Sequence, residues 1–125
     1  MTLDDFNSFC ASLQHSSHVV QWGDAHVWKV GGKVFAIAGW NHGAALAVTF
    51  KCSPIAYEML KDAEGVRPAP YLASRGMTWL QRTSDKTMND ADLQEHIQTS
   101  YSLAWEKLSK KIKLELGISP PVQHV

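Results

Sequence analysis

The stretch His26-Val-Trp-Lys-Val-Gly-Gly-Lys-Val-Phe-Ala-Ile-Ala38 decides the fold. Two runs rich in β-branched and aromatic residues, 26–30 and 33–38, flank Gly31-Gly32. Glycine takes positive φ at little steric cost, so this pair predicts a two-residue hairpin turn. Trp40-Asn-His-Gly43 makes a second turn, and residues 45–51 then alternate. Leu46, Val48 and Phe50 point one way, while Ala45, Ala47, Thr49 and Lys51 point the other. A side-chain period of two with one apolar set predicts a strand with a buried face. Together the three runs predict an antiparallel meander.

Helical patterns surround it. Thr2 with Asp5 resembles a capping box, and Leu3, Phe6, Cys10 and Leu13, widened by Phe9, repeat at helical spacing over 3–14. His15-Ser-Ser-His18 is read as a polar loop. Ser53-Pro54 starts a second helix over 54–63, with Ile55, Met59, Leu60 and Ala63 as its inner stripe and Gly65 as its stop. The prolines of Val66-Arg-Pro-Ala-Pro70 bar that segment from the centre of a sheet. Residues 71–73 and 77–82 read as two more strands, turning at Ser74-Arg-Gly76. A long last helix is capped by Asn89 or Asp90 and runs through Leu93, Ile97, Tyr101, Ala104, Leu108 and Ile112 to Gly117. Its acidic start and lysine-rich end suit the helix dipole.

The order α-β-β-β-α-β-β-α predicts an α+β fold of two layers, an antiparallel sheet with helices on one face and the other face partly exposed. The 125 residues read as a single domain over 1–117 with a flexible C-terminal tail at 118–125. Without a basic, apolar leader or a long apolar run, the expectation is a cytoplasmic protein with no membrane association. Cys10 and Cys52 are expected to stay thiols.

Twelve basic and twelve acidic residues cancel. That balance argues against a strongly electrostatic nucleic-acid binder. The charge is nevertheless segregated: residues 26–51 hold Lys29, Lys33 and Lys51 with no acid, whereas 87–106 are wholly acidic.

Catalytic motifs are lacking. Gly31-Gly32 opens no helix, so it is no phosphate loop, and no GxSxG elbow occurs. His15 and His18 have HxxH spacing without a third ligand, and His26, His42 and His96 stand alone. Nothing beside Cys10 would lower a thiol pKa. The acids at helix starts, Asp4, Asp5, Asp90 and Asp92, are explained by capping. The expectation is a protein that is not an enzyme, with no cofactor and no metal.

Trp22-Gly23, Lys33-Val-Phe35, Lys51 with Pro54, Arg67-Pro-Ala-Pro-Tyr71, Trp79, Ser100-Tyr101 and Lys107-Leu108 occur in an order and spacing that resemble the MmcQ/YjbR family over most of the chain. Thr78 departs from the His or Gly that many members carry there. The resemblance implies a CyaY-like, double-wing fold and a DNA-binding label that rests on fold likeness. On this reading Lys29, Lys33, Lys51, Arg75, Arg82 and Lys86, flanked by Trp40 and Trp79, contact the phosphates of double-stranded DNA, weakly and with strong salt dependence. The protein is then expected to be a monomer. The rival is a protein- or small-ligand-binding domain, for which a concave apolar pocket lined by Trp22, Tyr71 and Trp79 would be the sign. Metal binding at the acidic helix starts, implied by the CyaY-like fold alone, ranks third.

Overall fold

A computed structural model describes residues 1–41, 43, 45–72 and 76–117. Helix α1 (Leu3–Ser12) is followed by strands β1 (Ser16–Gln21), β2 (Ala25–Val30), β3 (Lys33–Ala38) and β4 (Val48–Lys51). Next come helix α2 (Pro54–Leu60), strands β5 (Val66–Pro68) and β6 (Trp79–Arg82), and helices α3 (Asp90–Glu106) and α4 (Lys110–Glu115). Every strand pairing is antiparallel, and the sheet runs β1-β2-β3-β4-β6-β5. The fold is α+β, as the sequence predicts.

The Gly31-Gly32 turn has φ of 56° and 81°, the positive pair a two-residue hairpin needs. Between β2 and β3 the register slips at Trp28/Lys29, which leaves Phe35 as an extra residue. This bulge sends both Phe35 and Ala36 into the core beneath the helices. The buried Ser100 hydroxyl of α3 serves the bulge. It donates to the Phe35 carbonyl (2.6 Å) and accepts the Lys51 N–H (2.9 Å). The helix-side core gathers Phe6, Phe35, Phe50, Leu80, Leu93 and Ile97, all fully buried.

Several expectations change. Residues 16–21, read partly as a loop, form edge strand β1; its side chains are mostly exposed, so no inward-facing set marked it. Val66–Pro68 is a strand at the opposite edge, where a proline removes no ladder bond that the sheet needs. Tyr71 and Leu72 lie in a turn rather than a strand. Helix α2 is rotated from the expected stripe: Ile55 and Met59 are exposed, while Ala56, Tyr57, Leu60 and Ala63 pack on the core. The long last helix breaks after Glu106, and the Ser109 hydroxyl caps α4 by accepting the Ile112 N–H (3.2 Å). The expected tail, 118–125, lies outside the described residues.

The face away from the helices is more covered than expected. Cross-strand pairs place Val19, Val27, Ile37, Thr49, Gln81 and Arg67 in one row across it. Val27, Ile37, Thr49 and Gln81 are fully buried. Val34, Trp40 and Leu72 pack over a small apolar cluster of Ala25, Val27 and Ile37. Among the described residues of that row, Val19 at the β1 end is exposed.

Candidate functional site

The covered face is where the structure gathers chemistry. Lys51 and Trp79 are cross-strand partners at the end of the sheet where β4 finishes and β6 begins. Thr78 and Cys52 extend that pairing: the Cys52 N–H donates to the Thr78 carbonyl (2.9 Å), and the Thr78 hydroxyl donates to the Cys52 carbonyl (2.7 Å). With Ser100 holding the Lys51 N–H, the backbone beneath Lys51 is anchored from both sides.

A cavity of about 300 Å³ lies against this end. Its walls are Trp22, Val34, Ile37, Leu72, Met77 and Trp79, completed by Leu103 and Ala104 from the last turns of α3. Lys33, Lys51 and Lys107 also line it, and no acidic residue does among the described residues. Burial pushes the Lys51 ammonium pKa down, and the neighbouring charges of Lys107 and Lys33 push the same way. None of the three lysines has an ion-pair partner among the described residues. Trp79 is only 6% exposed, and its Nε1–H has no hydrogen-bond partner among the described residues. Thr49, two residues before Lys51 on the same face, has an equally unpartnered Oγ1. A buried donor left so costs about 1–3 kcal/mol.

Trp22 and Leu72 are shared with a second, more open hollow of about 670 Å³ that Gly23, Trp40 and Tyr71 complete. Its rings form a cluster: Trp22 and Trp40 stack at 6.0 Å, and Tyr71 meets Trp40 edge-on at 5.4 Å. The Trp40 Nε1–H donates to the Trp22 carbonyl (3.2 Å). All three backbones are left-handed, with φ of 55°, 57° and 68°. For a residue with a Cβ this costs about 1 kcal/mol, so three together at one hollow are held by their surroundings. Gln81 supplies part of that hold, donating to the Gly39 and Trp40 carbonyls (3.4 and 3.3 Å) while accepting from Arg67 Nε (2.7 Å).

Of the six cations expected to form one strip, the five that are described do not all come together. Lys33 and Lys51 meet at the cavity, joined by Lys107, which was not among the expected site residues. Lys29 is half-buried near the end of β2, and Arg75 lies outside the described residues. Arg82, expected on a wing, is instead buried at the other end of β6, its Nη2 2.9 Å from the Asp90 carboxylate. Lys86 pairs with Glu64 (3.2 Å). Trp79 is at the cavity and Trp40 at the open hollow.

The other candidates stand apart from the cavity, and among them His15 Nε2 is buried without a hydrogen-bond partner among the described residues. Asp5 completes the capping box with Thr2 (3.1 Å each way), and Asp90 also pairs with the Met1 ammonium (2.9 Å). His15 stacks on Trp105, His96 stacks on Phe50, and His18 Nε2 meets His26 Nδ1 at 3.0 Å; His42 lies outside the described residues. Both cysteines are buried free thiols; burial raises both pKa values, that of Cys52 to about 11. Among the described residues no three metal-ligating side chains come together, and no helix is long and apolar enough to cross a membrane.

Comparison with known proteins agrees with this architecture. The protein DR2400 of Deinococcus radiodurans, whose crystal structure is described with domain DUF419, superposes with a TM-score of 0.81 at 28% identity, over 98% of this chain and 92% of that one. A protein from Pseudomonas syringae shares the fold at a TM-score of 0.68 and 16% identity, over 83% of this chain and 99% of that one. No curated protein matches the chain. The sequence model of the YjbR family matches residues 11–103, and the chain belongs to the YjbR family.

Proposed function

We propose that the chain is a non-catalytic binding domain that takes a small ligand in the cavity at the end of its sheet where β4 finishes and β6 begins. The observation that carries this reading is the hollow of about 300 Å³ lined by Trp22, Trp79, Ile37 and Leu72, with Lys33, Lys51 and Lys107 at it and no acidic residue among the described ones. Organic ligands occupy concave, mostly apolar sites of this size with a few placed polar groups. Trp22, Lys33, Lys51, Trp79 and Lys107, distant in sequence, are also residues on which the family resemblance rests.

The test uses N-phenyl-1-naphthylamine, a neutral apolar dye. Saturable fluorescence enhancement at one site is expected, and Met77→Trp, which fills the cavity from its wall, should abolish it. A dye that finds no saturable site on the unmodified protein would remove the reading.

Contact with DNA is the second reading, favoured by the meeting of Lys33 and Lys51 with exposed Trp22 nearby. The pairing of Arg82 and Lys86 with carboxylates weakens it. If DNA is held through the wings, duplex titrated at low salt should bind more weakly to both Lys33→Glu and Arg82→Glu. Loss with Lys33→Glu alone would confine the contact to the cavity mouth.

A further inference from the structure

We propose that the cavity selects a small amphipathic anion, with a flat apolar body against Trp79, Ile37 and Leu72 and a carboxylate or phosphate head among Lys33, Lys51 and Lys107. This rests on the ligand-binding reading above and names the chemical class of the ligand. Three independent features of the site point to it.

The first is charge. Lysines from three separate elements, β3, β4 and the C-cap of α3, converge on one hollow. Like charges brought together without a carboxylate repel, and half-buried Lys51 feels the nearby charges of the more exposed Lys107 and Lys33. Arg82, Lys61 and Lys86 each have an acid in contact; Lys29, Lys110, Lys111 and Lys113 have none among the described residues, but none of these four lines the cavity. An anion seated between the three would relieve the repulsion with charge-assisted hydrogen bonds.

The second is the Trp79 indole. The ring lines the cavity, and its Nε1–H is buried with no acceptor among the described residues. Indole nitrogen is only a donor, so a ligand atom that came within reach of it through a shift of the ring would be an acceptor, as carboxylate and phosphate oxygens are.

The third is the remaining wall. Val34, Ile37, Leu72 and Met77 offer no hydrogen bonds from their side chains, which matches an apolar body and disfavours a free inorganic ion. Trp79 and Trp22 add planar faces suited to a flat ring.

The experiment follows the indole Nε1–H resonances in proton–nitrogen correlation spectra, with Trp79 identified through Trp79→Phe. The probes are 2-naphthoate, 2-naphthyl phosphate and the neutral 2-naphthamide. At least one anion should shift the Trp79 resonance saturably and bind about tenfold more tightly than the amide. Lys51→Gln should weaken anion binding by about the same factor and leave the amide unchanged. Lys107→Gln, at an exposed helix end, repeats the test should Lys51→Gln fail to fold. Amide and anions binding alike, or anion binding indifferent to the lysine changes, overturns the anion assignment and leaves the cavity as a ligand site. A Trp79 resonance that no probe moves overturns both.

Discussion

Ser100 shows how much one side chain can decide. Its hydroxyl bridges the carbonyl of the bulged Phe35 and the N–H of Lys51, joining α3 to β3 and β4 inside the core. Ser100→Ala leaves both groups buried and unmatched, and each costs about 1–3 kcal/mol. The variant should therefore lose about 2 kcal/mol or more, read as a lower urea midpoint with an unchanged slope. Anion affinity should fall with it if the Lys51 backbone shifts. Ser100-Tyr101 is legible in the sequence only as part of a family pattern; its role as a bridge is not. The same limit applies to Arg82, whose sequence neighbours give no warning that Asp90 will neutralise it from the first turn of α3. Lysines and arginines are readable as charges, but their partners are set by contacts that chain order does not reveal.

At the scale of elements, the β2–β3 hairpin was readable because its geometry is local. Two glycines between alternating runs demand a turn of one type, and φ at both positions is positive. The hairpin also has a non-local duty. A Cβ on Gly31 would lie 2.7 Å from both Leu108 methyls, so the turn is pressed against the end of the α3–α4 junction. Gly31→Ala should destabilise by about 1–3 kcal/mol, from left-handed strain and the clash with Leu108 together. Combined with Leu108→Ala, the glycine substitution should cost less than it does alone, a coupling that a double-mutant cycle of urea midpoints would measure. Additive costs would mean that strain acts without the clash. The break before α4 was hidden because Leu108 and Ile112 keep helical spacing through it. Only the Ser109 cap, which competes with the backbone for the same N–H groups, interrupts the helix. Edge strand β1 was hidden for the opposite reason, since a strand with nothing to bury shows no alternation.

For the whole molecule, pH reports how the histidines are packed. Burial first, then the His26 charge, lowers the His18 pKa from its ordinary 6.5. Burial lowers that of His96 against the raising pull of Asp92 and Glu95. A base with a depressed native pKa takes up protons more readily when unfolded. Its contribution to stability is therefore complete above about pH 6.5 and is lost as pH falls toward the native value. Urea midpoints should decline between pH 8 and pH 5, and His96→Gln should flatten the decline. A midpoint independent of pH across that range would show that the His96 ring is not as shielded as its contact with Phe50 implies.

Period-two alternation in 45–51, the glycine pair at 31–32 and the caps at Thr2, Ser53 and Asn89 determined an α+β chain with an antiparallel core, because each acts over a few neighbouring residues. Charge segregation was equally plain in the sequence, but its meaning was not. Whether cations converge depends on which strands become neighbours, and the insertion of β6 between β4 and β5 put Trp79 beside Lys51. That pairing, with α3 delivering Lys107 to the same hollow, was decided only by the tertiary structure, where long-range packing sets the distances that electrostatics obeys.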